Sequence, residues 1–105
     1  MIKVNVDPGI CGLHTKITVE SKDGQKAVIS IKTDCPNLKP LEDELKEADG
    51  FTECFGKMCD TKTYTLANKY CKHSACPVPC AIIKGIEAAC GFALPKDVLF
   101  SIKKV

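Results

Sequence analysis

The stretch HTKITVESKDGQKAVISIKT, residues 14–33, alternates apolar and polar side chains on both sides of Asp23-Gly24. A period of two places Ile17 and Val19 on one face of an extended strand, and Ala27, Ile29 and Ile31 on one face of another. Asp-Gly between two such runs is a strong hairpin signal, so 14–20 and 26–33 are expected to pair antiparallel. A hairpin with one apolar face needs cover, and the rest of the chain is constrained to supply it.

The flanking segments fit that requirement. Ile2 to Val6 alternates as a further strand and stops at Asp7-Pro8-Gly9, a turn sequence. From Pro36 the period lengthens: Leu38, Leu41, Leu45 and Ala48 share one helical face, and Gly50 marks the end. Residues 51–60 show no period and read as loop, while Thr61 to Cys71 reads as a short helix. Pro77 to Cys90 predicts an amphipathic helix with Ile82, Ile83, Ile86, Ala89 and Cys90 on its apolar stripe, closed by Gly91. The final LPKDVLFSIKKV reads as a strand. Grouped strands followed by helices predict an α+β fold, with a mainly antiparallel sheet of about four strands and about three helices packed on one face. With 105 residues, 45% of them apolar, the chain is expected to be a single domain spanning 1–105.

Charge narrows the partners. The net charge is +2 and every basic residue is lysine. The bidentate guanidinium fork suited to bases and phosphates is therefore missing, which argues against nucleic acid. No apolar run has the length of a membrane span, and the opening MIKVNVDPG is an alternating strand rather than a signal sequence, so a cytoplasmic protein without membrane association is expected.

In a reducing compartment, eight cysteines call for burial, metal binding or reactivity rather than disulfides. Position sorts them. Cys11 lies in PGICG, where small neighbours let a ligand approach the backbone. Cys35 stands where a strand gives way to a helix, at or beside its N-cap, and Asp34 is an alternative cap. Cys76 precedes Pro77 at the mouth of the late helix and is expected at its N-cap. A helix N-terminus favours the thiolate, the form that binds metal and attacks sulfur. Cys80, one turn on, sits by helical angle with Lys84 and Glu87, off the isoleucine stripe, and its spacing lets it share a metal with Cys76. Cys11, Cys35, Cys76 and Cys80 thus form the candidate metal site, with His73 and Cys71 as additional candidates. Cys54 and Cys59 are a candidate second pair, and Cys90 is assigned to the core. His14 reads as a solvated strand residue.

The order of GICG, a hairpin, KTDC leading into a helix, and ACPVPCAIIKGIEAA entering a late helix resembles the iron–sulfur cluster assembly scaffolds of the IscU and N-terminal NifU kind. The matching cysteines are Cys11, Cys35 and Cys76, and the likeness covers about residues 9–50 and 71–90. It implies an IscU/NifU-like sandwich, an iron–sulfur cluster or zinc as the bound group, and a cysteine desulfurase or cluster-recipient proteins as partners. Where the family has an aspartate two places after the first cysteine this chain has Leu13, and Ala75 stands where the family's histidine adjoins the third cysteine. On this resemblance Cys80 takes the missing fourth position and makes a more stable, less readily donated cluster. An open ligand set also lets a cluster bridge two chains, so a homodimer is a candidate assembly. The pattern is similar as well to small cysteine-rich domains of anaerobic prokaryotes for which no activity is known.

Three functional readings follow. The first is a scaffold or carrier for a metal or iron–sulfur cluster, held by cysteine thiolates. The second is a zinc-tuned or metal-free acceptor of persulfide sulfur, with Cys35 or Cys76 as attacking thiol. The third is a structural zinc-binding or simply thiol-rich domain. No Ser-His-Asp set, P-loop or dinucleotide fingerprint supports a conventional enzyme.

Overall fold

The computed structural model describes residues 1–105 and has the expected α+β architecture. Strands β1 (Ile2–Val6), β2 (Thr15–Glu20) and β3 (Lys26–Thr33) form an antiparallel meander, and β4 (Glu47–Asp49) completes a sheet of order β1-β2-β3-β4. Register places Ile17 opposite Ile31 and Val19 opposite Ile29, so the apolar faces of the hairpin coincide. At the turn, Asp23 Oδ1 accepts the backbone N–H groups of Gln25 and Lys26, both at 2.9 Å, and Gly24 takes φ +75°. Those two donors hold the Asp23 carboxyl below its usual range.

Helix α4 (Val78–Ala89) lies across β1 and β2, burying Val78, Ile82 and Ile86 against Ile17 and Val19. Gly85 makes the approach close: a Cβ there would stand 3.1 Å from methyl groups of Val4 and Val19. Helix α1 (Leu41–Glu44) packs on β3, α2 (Gly50–Phe55) packs on α4, and α3 (Lys62–Tyr70) packs on α4 and α1. A 3-10 turn at Met58–Asp60 joins α2 to α3. The opposite face of the sheet is left open, with Lys16, Ser30 and Lys32 exposed on it. No helix is long and apolar enough to cross a membrane.

Three segments differ from expectation. Leu38, Leu41, Leu45 and Ala48 are all buried as their spacing demands, but only Leu41–Glu44 is helical. Pro40 occupies the N-cap, and a residue before proline is pushed out of the α region, so the helix cannot extend back to Pro36. At its other end Leu45 leaves helical geometry, Lys46 accepts the Ile29 N–H at 2.7 Å, and Ala48 pairs with Ala27. The supposed loop begins with α2, because Asp49 caps it by accepting the Thr52 N–H at 2.9 Å and the Thr52 hydroxyl at 2.6 Å. Finally, residues 94–105 form no strand. The edge of β3 is taken by β4, which follows α1 directly and closes a far shorter loop.

Candidate functional site

Cys76 has two other thiols in its neighbourhood, Cys71 and Cys35. Cys35 follows the end of β3, Cys71 is the C-cap of α3, and Cys76 comes two residues before α4. All three are half-buried and pack against the central hydrophobic cluster. The thiols of Cys71 and Cys35 both act on Cys76, with Cys71 the stronger neighbour.

Each member is fixed by backbone chemistry that the sequence motifs do not advertise. Thr33 ends β3 with its side chain buried, and its Oγ1 accepts the Cys35 N–H at 3.1 Å while sharing a 2.7 Å hydroxyl bond with Thr15, the residue opposite in register. The Thr33 N–H in turn donates to Glu42 Oε2 at 3.0 Å, tying the start of the Cys35 loop to α1. On the other side, the His73 carbonyl accepts both the Cys71 thiol at 3.3 Å and the Cys76 N–H at 3.0 Å. That single oxygen folds CKHSAC into a turn that brings the two thiols near each other. His73 therefore shapes the site through its backbone, and its imidazole is on an exposed residue.

Burial is the largest influence on Cys76 and pushes its thiol up; the Val78 backbone amide pulls the other way, and Cys71 and Cys35 add to the rise. Two further placements follow from the true helix starts. Pro77, not Cys76, holds the N-cap position of α4, and α1 starts at Leu41, well after Cys35 and Asp34. The expectation that both cysteines cap helices is corrected on both counts, because proline placement moved each start downstream.

The remaining thiols lie elsewhere. Cys11 is exposed at the tip of the turn after β1, between Gly9 at φ +91° and Gly12 at φ +67°. Cys80 is exposed on α4, where it and Cys59 face Tyr64; after burial, these two thiols keep the Tyr64 hydroxyl protonated to higher pH. Cys80 also neighbours Lys84, which bonds Glu87 at 2.6 Å, as its helical angle implies. Cys54 joins this surface from α2, near Glu87, Lys84 and Cys90. Cys90 is buried in the core, as expected. Cys76 and Cys80 thus point into different neighbourhoods, and Cys54 and Cys59 do not stand alone as a pair. No three Cys, His, Asp or Glu side chains are gathered tightly enough to hold an ion, so Cys35, Cys71 and Cys76 are neighbours rather than a preformed ligand set.

Residue typing at the sequence level ranked Cys71 below Cys11 and Cys80. Its signal was present in CKHSAC, a helix end and a helix start separated by four residues. Thr15 and Thr33 had none beyond their place on the inward face of each strand.

A family model matches residues 2–102, and the chain belongs to that family, described as a family of unknown function, DUF6951. No curated protein and no solved structure matches the chain.

Proposed function

We propose that this domain is a scaffold or carrier for a thiophilic metal centre, an iron–sulfur cluster or zinc, with Cys35, Cys71 and Cys76 as its principal thiolate ligands. The observation that supports this reading is that Cys76, half-buried against the core, has the thiols of Cys71 and Cys35, each from a separate segment, as neighbours, so that a small closing movement on metal binding would complete a three-sulfur set. A donor set of sulfur alone suits iron–sulfur clusters and zinc, and disfavours magnesium or calcium. Three ligands from the chain leave a fourth position for an outside ligand. An incompletely enclosed centre suits transfer to a recipient better than a closed structural staple. A cysteine desulfurase as sulfur source and cluster-accepting proteins as recipients belong to the same proposal, as does a cytoplasmic setting.

The persulfide-acceptor alternative requires a thiolate ready at neutral pH. Burial moves Cys76 in the opposite direction. For a metal ligand the same shift is no obstacle, because the cation displaces the proton on binding.

Protein purified without air and assayed for zinc, iron and acid-labile sulfide, before and after reconstitution with ferrous iron and sulfide, tests the proposal. The expected result is stoichiometric metal, with visible absorbance and labile sulfide if the centre is a cluster. Cys35→Ser, Cys71→Ser and Cys76→Ser should each lower the content severalfold, while Cys59→Ser leaves it intact. Full metal content in the triple serine variant, or none under any loading condition, would overturn the reading.

A further inference from the structure

Residues 98–103 carry the pattern of a strand without its pairing. Val98, Phe100 and Ile102 alternate with Leu99, Ser101 and Lys103, so an extended backbone sends the first three to one side. Yet no regular structure forms, and Leu94, Leu99, Phe100 and Ile102 are between 70% and 91% exposed. Contiguous apolar exposure on this scale marks an interaction surface.

The sheet has an edge that matches it. Strand β1 has five residues and a neighbour, β2, on one side only. Its inward side chains Ile2 and Val4 stay half-buried, although their counterparts Ile17 and Val19 on β2 are buried. A cleft of about 240 Å³ opens beside this edge, with Met1, Ile2, Val19, Ala88 and Ala89 on its apolar side. An enclosed cavity of about 150 Å³ accepts benzene, so the volume of this open cleft is enough for a phenyl ring, and Glu20, Ser21 and Lys22 line its polar side.

Within its own chain the segment is led elsewhere. After the turn at Gly91, φ +79°, Phe92 packs edge-on against Phe55, with ring centroids 5.2 Å apart, and against Phe51 at 6.5 Å. Those rings belong to α2, which follows β4 at the far edge of the sheet from β1.

The geometry points to an exchange of arms between two copies of this chain: residues 98–102 of one add as an outer strand to β1 of the other, with Phe100 in the cleft. The second arm returns the contact, which gives a closed two-fold dimer. Three apolar side chains per arm, together with the surface they cover, bury on the order of 1,200 Å² over both contacts, within the range of specific interfaces. Pairing also satisfies the outward amide and carbonyl groups of β1. The proposal is independent of the metal centre.

Light scattering of the full 105-residue chain with chelator present, so that no metal can bridge copies, reads the mass directly. A dimer is expected, and Phe100→Asp/Ile102→Asp should run as a monomer with an unchanged circular dichroism spectrum. Amide exchange should show 98–102 and Ile2–Val6 protected together in the dimer and exposed together on dilution. A monomer at every concentration, a dimer that survives the double substitution, or a monomer whose 98–102 amides are protected by its own sheet would each overturn the proposal.

Discussion

Glu53 and Thr63 are joined twice: Glu53 Oε1 accepts the Thr63 backbone N–H at 2.8 Å and the Thr63 hydroxyl at 2.6 Å. The other oxygen, Oε2, accepts the Lys62 N–H at 2.8 Å. Glu53 is the one charged side chain buried in the protein, at 4% exposure, and it sits on the N-terminus of α3, where amide donors and the helix dipole offset its desolvation. Through this contact α2 sets the position of the helix that ends in Cys71.

Glu53→Ala leaves the first-turn donors of α3 without that partner in a buried setting. The expected cost is about 3 kcal/mol, a drop in thermal midpoint on the order of 15 °C by circular dichroism. Glu53→Gln retains one acceptor but turns an amide NH₂ toward the N–H groups, and should lose more than half as much. A change within experimental error for both variants would show that the cap contributes nothing.

Thr33→Val removes an acceptor from Cys35 and strands the Thr15 hydroxyl inside the core. A loss of about 1–3 kcal/mol is expected in urea unfolding. Adding Thr15→Val should restore part of it, because two apolar groups replace a broken pair, while any metal affinity stays weakened since Cys35 remains untethered. Full recovery of metal binding in the double variant would show that Thr33 does not position Cys35.

Gly50 sits where no side chain fits. A Cβ there would stand 2.5 Å from Cys90 Sγ and 3.0 Å from the Gln25 carbonyl. Gly50→Ala should therefore destabilise by about 1–3 kcal/mol through overpacking. Cys90→Ala in the same chain removes the sulfur contact but not the carbonyl, so the rescue should be partial. Complete rescue would assign the whole penalty to Cys90.

Burial, with Glu87 and Cys90 nearby, pushes the Cys54 thiol from 9.0 up to about 11. Between those values the unfolded chain has released a proton that the folded chain keeps, so stability falls as pH rises from about 9 to about 11 and levels off beyond. Urea midpoints across that range should decline less steeply in Cys54→Ala. At pH 8 the thiolate population of Cys54 is about a hundredfold below that of an ordinary thiol, and mass spectrometry after brief iodoacetamide treatment should find Cys54 alkylated well after the exposed Cys11. Equal rates at the two sites would contradict the shift.

Much of the sheet was legible in advance because its signals are local. Ile17, Val19, Ala27, Ile29 and Ile31 alternate on either side of Asp23-Gly24, and a period of two has one face to bury. The late helix was equally plain, since Val78, Ile82 and Ile86 recur at helical spacing. The spacing of Leu38, Leu41, Leu45 and Ala48 correctly announced burial but not geometry, because a turn, a single helical turn with its C-cap and a strand in succession can all aim those side chains inward.

What the sequence determined on its own was therefore the α+β class, the hairpin and the apolar faces, each set by side-chain periodicity and turn chemistry within a few residues. Only the tertiary structure decided that β4, rather than residues 94–105, closes the sheet, and that Cys76 has Cys71 and Cys35 as neighbours while Cys80 lies by Tyr64. Those outcomes depend on helix starts displaced by Pro40 and Pro77 and on one carbonyl, at His73, that folds two thiols together. Contacts between distant segments are settled by how packed elements meet in space, and a one-dimensional pattern carries no such distance.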